Sequence, residues 1–496
     1  MQAVTRFLAA LVWLTSTKRG IVKRSIVICL IIVTLVASAC GSKEQVAEKS
    51  PVDGGGAVTS TTRRSTDAQV FGTLESPCGK APEGKTVTIK AEEAGRGTDR
   101  LYIGVGNDRT ADAQPGMNKE LWDTTLAFVA WCNEQGGVAG IPLDPIDIDG
   151  RYFHVEEAMT TACSETFALV GGGLVFDNQV FSGKDGSDFH KCRLIAVPGF
   201  AVSTDFAEAS GVIQPLPNPA HRKSAVWLQD VASLFPEEVA KTVAVYGEGV
   251  TSIAINRDQI KETAKAAVPE MKFLDDISYK LIGQDFSVIA QKVIDSGATA
   301  LTFVGDPVNY SALLAELKNQ GWDGPSFVNV NEYDQRLFLK GEDVADNVLI
   351  RSSIHMFEEA NEFPAMQQLL DIVSRFGPES PTVAALSVQS FSAGLLFAQS
   401  VKDCVEGGSG EISRVCVFDA AKKVDHWDAG GLHADTSPAA NEPPSCSMLI
   451  SGKDGKFIRR FPEEVTKDRG FHCDEDLTVD LEGDLGTGRI DPSSPY

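Results

Sequence analysis

Between Leu101 and Val330 short apolar runs, several ending in glycine, alternate with longer segments whose apolar residues recur every three or four positions. The first run, "RLYIGVGND", reads as a strand. In "MNKELWDTTLAFVAWCNEQGG" Leu121, Thr125, Phe128 and Cys132 share one helical face, Trp122, Leu126 and Val129 lie beside them, and Gly136 and Gly137 stop the helix. A strand at "LDPIDID", a helix around "VEEAMTTACSE" and strands at "TFALVGGG" and "CRLIAVPG" follow. After Pro215–Pro219 the pattern resumes: helix "HRKSAVWLQDVASLF", strand "TVAVYG", helix "SIAINRDQIKETAKAA" and the extended "MKFLDDISYKLI". From Asp285 to Val330 the order is helix, strand, helix, strand, with Tyr310, Leu313, Leu314 and Leu317 on one buried face.

Strands separated by helices of this length form parallel sheets covered on both faces. The series also occurs twice. "LDPIDIDGRYFHVEEAMTTACSETFALVGGG" and "FLDDISYKLIGQDFSVIAQKVIDSGATALTFVGD" share one order of strand, acidic turn, helix and glycine-ended strand. The expected fold class is therefore α/β, with two doubly wound, Rossmann-like lobes.

The N-terminal part is different. A 15-residue apolar run, Ser25–Ala39, follows Lys18, Arg19, Lys23 and Arg24 and ends in "ASA" before Cys40. It is short of the roughly 20 residues that cross a bilayer, and the order of charge, apolar core and small residues is that of a secretion signal. "ASAC" resembles the lipobox of bacterial lipoproteins, with Ala37 where leucine is usual. The expectation is a signal peptide over 1–39, lipidation of Cys40 (several acyl chains anchor stably where one does not), and a flexible Gly/Ser/Thr/Pro-rich tether over 40–98. Cys40 would then hold the protein on the extracytoplasmic face of the cell membrane.

Composition narrows the partners. With 68 Asp and Glu against 45 Lys and Arg, the net charge is −23, so a nucleic-acid partner, which requires clustered cations, is not expected. Beyond Cys40 there are eight cysteines, an even number that in an exported chain reads as disulfides. Right-handed crossovers put the second and third helices of a lobe on one face, which pairs Cys163 with Cys192. Cys404 with Cys416 and Cys446 with Cys473 close short loops, and Cys78 with Cys132 remains; eight cysteines allow 105 connectivities. Neither a C-x-x-C pair nor zinc spacing occurs, so no metal and no cofactor is expected.

"AFVAWCNEQGGVAGIPLDPIDID", in which an amphipathic helix ends in N-x-x-G-G-V-x-G before a strand, resembles the extracellular solute-binding proteins of ABC transporters, the leucine/isoleucine/valine-binding type. "GQDFSVIAQKVIDSGATALTFVGDPVNYSALLAELKNQGWDGP", "GEDVADNVLIRSS" and "TVAALSVQSFSAGLLFAQSV" fit later elements of that family, and the likeness covers about Leu101 to Cys404. The resemblance implies a type I periplasmic-binding-protein-like arrangement. The first lobe would hold 99–214 and 354–435, and the second 215–353, joined by a hinge. An extension, 436–496, with the acidic "DEDLTVDLEGD" would follow. Ligands of open α/β sheets lie beyond the carboxyl ends of the strands, here in a cleft that hinge rotation closes.

The resemblance also implies a ligand carboxylate on the first lobe and an amine on the second. In the first lobe Gly172 and Gly173 would let backbone approach a ligand or serve a tight turn. Ser203 and Thr204 would offer hydroxyls or cap a helix. In the second lobe Asp306 occupies the position of an amine-contacting residue, or caps a helix ahead of Pro307, and Glu332 lies near a second acidic position, or in a solvated loop. Trp122 is a cleft wall or, from its spacing, core. The implied function is a lipid-anchored receptor that captures a small polar solute, an amino acid or a relative, and delivers it to an ABC permease. The alternative is a sensory or envelope-interaction lipoprotein that keeps the fold without transport. G-x-S-x-G, H-E-x-x-H and Walker patterns are absent from the sequence, so an enzyme is not expected.

Overall fold

The computed structural model describes residues 70–178, 188–465, 468–488, 490–491 and 494–496. The expected signal, Cys40 and the first part of the expected tether lie outside them. The first lobe is built on β1 (Leu101–Asn107), α1 (Lys119–Glu134), β2 (Leu143–Asp149), α2 (Val155–Glu165), β3 (Ala168–Val170) and β4 (Ala196–Val197). Its strands are all parallel, in the order β2-β1-β3-β4 among the described residues. Both faces are covered, which is why β1 is apolar on both sides rather than alternating. Met159 and Ala162 of α2 pack with Ile146, Ile148 and Leu169 on one face. Across the other, Phe128 of α1 meets Phe391 edge to face at 5.3 Å.

The chain passes into the second lobe along β5 (Arg222–Ser224) and α3 (Val226–Leu234). There follow β6 (Thr242–Glu248), α4 (Thr251–Ala267), β7 (Phe273–Lys280), α5 (Phe286–Asp295), β8 (Ala300–Val304), α6 (Pro307–Asn319), β9 (Ser326–Val328) and β10 (Val348–Ser352). These five strands are parallel, in the order β7-β6-β8-β9-β10. Tyr310, Leu313, Leu314 and Leu317 are buried, as the spacing required. From Ser352 the chain returns to the first lobe as α7 (Pro364–Phe376), α8 (Ala385–Gly407) and α9 (Arg414–Ala421).

Three expectations are corrected. "HRKS" is not the start of a helix: it is the crossover strand β5, because its backbone pairs antiparallel with β13 (Thr478–Asp480) in the acidic tail. Residues 436–496 are not a separate extension either. β11 (Cys446–Lys453) runs antiparallel to β10, and β12 (Lys456–Phe461) follows it, so the segment completes the second sheet. Finally, the expected tether over 40–98 does not hold from Val70 onward, where the described residues are already packed on the first lobe. Phe71 is fully buried, 4.9 Å from the Phe391 ring, and Thr88–Ile89 pairs with Glu411–Ile412.

Four disulfides close, pairing Cys78 with Cys132, Cys163 with Cys192, Cys404 with Cys416, and Cys446 with Cys473. Ser65–Tyr496 forms a compact unit with its own core. Segments in which the chain passes between the lobes, near Pro215, Ser353 and Thr436, bond to one another: Thr436 Oγ1 donates to the Pro215 carbonyl at 2.7 Å and Ser353 Oγ to that of Cys446 at 2.9 Å. Among the described residues no helix is long and apolar enough to cross a membrane.

The burial of Phe71 and the Cys78–Cys132 bond make the N-terminal boundary testable. Phe71→Ala is expected to destabilise residues 65–496 by about 3–5 kcal/mol, measured by urea denaturation. A fragment starting at Asp99 should melt well below one starting at Ser65 and should alkylate at Cys132.

Candidate functional site

The two lobes face each other across a cleft with two adjoining compartments. The inner one, a cavity of about 200 Å³, is lined by Pro198–Val202 from the end of β4, by Gln214–Asn218, Lys223 and Ser224 from the first crossing, and by Arg351 and Ser353 from the second. Ser252, Asn256, Gln259 and Thr263 of α4 close its second-lobe side, and Leu386 and Gln389 of α8 its first-lobe side. The outer one, about 120 Å³, is mostly apolar, with Met117, Phe153, Phe176, Ile253, Leu281 and Ile282 among its walls. Phe200, Val202, Ile253, Gly305, Asn331 and Leu386 border both.

The inner compartment contains no Asp or Glu and two cations. Lys223 is buried and donates to Asn218 Oδ1 at 2.6 Å. Burial and then the Arg351 charge push its pKa down to about 7, against a smaller upward pull from Glu208. Arg351 is partly buried, its guanidinium 5.7 Å from the Trp227 ring, and desolvation lowers its pKa to about 10. Among the described residues neither cation has a carboxylate partner within ion-pair distance. Ser224 Oγ is also buried without a hydrogen-bond partner.

The outer compartment holds the contacts that tie the lobes at the mouth. Gln114 Nε2 of the first lobe donates to Asp306 Oδ1 at 2.8 Å, and Tyr152 Oη donates to Gln114 Oε1 at 3.1 Å. Arg336, paired with Asp334, reaches the Gly116 carbonyl at 3.1 Å and Glu120 at 3.7 Å. Burial drives Glu120 up to about 7 even so; the Arg336 charge only limits the rise.

Of the residues singled out from sequence, Asp306 stands in this cleft. It caps α6, accepting from the Val308 and Asn309 amides at 3.0 and 3.1 Å, and Asn309 Nδ2 takes its other oxygen. Glu332 is buried behind the wall, accepting from Asn331 Nδ2 at 3.0 Å, and its pKa is raised far above the usual range by burial, then by Asp306 and Asp334. It is not the solvated loop acid of the alternative reading. Gly172 and Gly173 do not face the cavity: a Cβ on Gly172 would strike Gly106, and one on Gly173 the Phe200 carbonyl. Their requirement is close packing of strand ends. Ser203 caps a short helix by accepting from the Phe206 amide at 3.2 Å, and Thr204 Oγ1 donates to the Leu485 carbonyl in the tail at 2.8 Å. Trp122 lies outside both compartments, with Arg109 stacked 4.8 Å over its ring.

Lys223 and Arg351 escaped the sequence reading. Lys223 sat in a segment assigned to a helix. Arg351 carried a visible signal, a lone cation inside the apolar strand "VLIRS".

The depressed pKa of Lys223 has a signed consequence. Between about pH 7 and 10 the folded, empty protein holds Lys223 neutral while the unfolded chain keeps it charged, so the unfolded state binds more protons and stability rises with pH. Relative to Lys223→Met, wild-type residues 65–496 should gain up to about 1.4 kcal/mol per pH unit in that window. Urea titrations at pH 6–9 measure this, and equal slopes would mean an unshifted lysine.

No curated protein sequence matches the chain. Its fold is similar to that of a fatty acid ABC transporter substrate-binding protein from Thermomonospora curvata, at 14% identity and TM-score 0.62 over 80% of this chain and 97% of that one. An ABC transporter substrate binding protein from Aeropyrum pernix is similar at 18% identity and TM-score 0.58 (74% and 98%). A branched chain amino acid ABC transporter protein from Thermus thermophilus with bound valine is similar at 14% and 0.58 (73% and 95%). At such identities the likeness is one of fold. In sequence, residues 196–456 match the periplasmic binding protein family, and because that span is more than half of the chain, the chain belongs to the periplasmic binding protein family.

Proposed function

We propose that the protein is a lipid-anchored extracellular receptor that takes up a small solute between its lobes and hands it to an ABC import permease. The observation that carries this reading is the inner compartment, whose walls come from both lobes and from the crossings between them. A solute seated there touches groups whose relative positions depend on closure, so it favours the closed form by its differential contacts. The family and the transporter names of proteins with the same fold support transport rather than catalysis. Cys40, after its signal-like run, is the residue proposed to carry the lipid.

Two measurements test this. A thermal-shift screen of residues 65–496 against amino acids, amides, short peptides, sugars and organic acids should give a hit, since a ligand at one hundred times its Kd adds about 2.7 kcal/mol. A folded protein with no shift anywhere would remove the receptor reading. Cys40→Ala should release the full chain from the membrane fraction; retention there would rule out the lipid anchor.

A further inference from the structure

The proposed receptor function leaves the solute's chemistry open, and the charge distribution of the cleft narrows it; the solute class inferred from that distribution rests on the receptor function. We propose that the solute is an organic carboxylate with an apolar body, its carboxylate seated between Lys223 and Arg351 and its body in the outer compartment against Phe176, Ile253 and Ile282.

The two cations are the reason for the head group. Taking a charge out of water is costly unless a counter-charge or hydrogen bonds replace the solvent. Here the chain supplies no counter-charge and a single side-chain hydrogen bond. Lys223 gives one of its three donors to Asn218, and none of the Arg351 guanidinium donors bonds to a described residue. In a chain with 68 acidic residues, the compartment around them contains none. The unpartnered Ser224 hydroxyl adds a neutral donor at the same wall. A carboxylate supplies what is missing, with charge-assisted bonds from both sides.

The adjoining compartment gives the rest of the molecule. It is apolar, and Ile282 and Phe153 remain 54% and 72% exposed at its lining, surface that a hydrocarbon body would cover. Asp306 borders it, yet both of its oxygens already accept hydrogen bonds, so no ammonium is required there.

Binding should also move a proton. Burial, with the Arg351 charge adding to it, lowers the Lys223 pKa to about 7 in the empty cleft, and Glu208 raises it by less. A bound carboxylate restores the ammonium, so at pH 8 a carboxylate takes up a proton and its amide does not.

The test is titration calorimetry of residues 65–496 at pH 8, in two buffers of different ionisation enthalpy. Butanoate, octanoate and 3-phenylpropanoate are each compared with their amides, and octanoate with octyl phosphate. The expected result is at least one carboxylate binding ten times or more tighter than its amide, with proton uptake. Lys223→Met and Arg351→Met should each weaken it roughly 30-fold, the low end for removing one side of a buried charged contact, while the empty Lys223→Met protein melts no lower than wild type. Amides binding as well as their acids would overturn the anion site and leave the receptor reading standing. Octyl phosphate binding more tightly than octanoate would overturn the carboxylate head group. If none of the probes binds while a solute of the wider screen that lacks a carboxylate does, the solute class proposed here is wrong; if that screen is blank as well, the receptor function itself falls.

Discussion

The cleft depends on how the chain passes between its two sheets without leaving backbone polar groups unpaired. A strand that leads from one lobe toward the other leaves at least one edge uncovered by its own sheet, and buried N–H and C=O groups must find partners. β5 finds them in β13, where Lys223 pairs with Val479, and β10 is flanked by β11, where Arg351 pairs with Leu449. The pairing fixes the register of both strands, and a one-residue slip would turn Lys223 and Arg351 away from the cavity. The C-terminal segment thus sets the site without lining much of it. Its last residues continue the tie to the first lobe, through Leu485 to Thr204 and through the Tyr496 hydroxyl to the Arg193 carbonyl.

The two compartments treat charge in opposite ways. At the mouth, acids and cations are matched: Arg336 answers Asp334 and Glu120, and Gln114 bridges to Asp306. Such contacts between lobes break and re-form at modest cost where the partner has another bond on its own side. Arg336 keeps Asp334, and Asp306 keeps its helix amides. In the inner compartment the cations are left unmatched. A protein selected only for stability would replace an unpaired buried lysine with an apolar residue of similar volume, so its presence argues for a demand outside folding.

Much of the fold was legible because its signals are local. The periodicity that buries Leu121, Phe128 and Cys132 in α1, or Tyr310, Leu313 and Leu317 in α6, is contained within each helix. Cys163 and Cys192 followed from crossover handedness for the same reason. What escaped was set by partners far along the chain. Val70–Phe71 is two residues long and owes its order to Trp131 and Phe391, and "HRKS" becomes a strand only because β13 lies beside it. The candidate site suffered likewise. The sequence shows that Gly172 and Gly173 must be small, but whether the space belongs to a ligand or to Gly106 and Phe200 is a tertiary matter. A serine ahead of a short helix reads equally as donor and as cap, and Ser203 is the cap.

The position of the two cations bears on closure as well as on affinity. A ligand shifts a conformational equilibrium only by the difference between its affinities for the two states. Contacts to one lobe alone are the same whether the cleft is open or shut. Lys223 and Arg351 stand on separate crossings, each continuous with the second-lobe sheet or its first helix, and the wall opposite them is Pro198–Val202 and Gln389 of the first lobe. An occupant held by the cations meets that wall only when the lobes approach. The cations therefore supply grip and the first-lobe wall supplies the difference, with the mouth contacts at Gln114 and Arg336 adding a small, solute-independent bias toward the closed form.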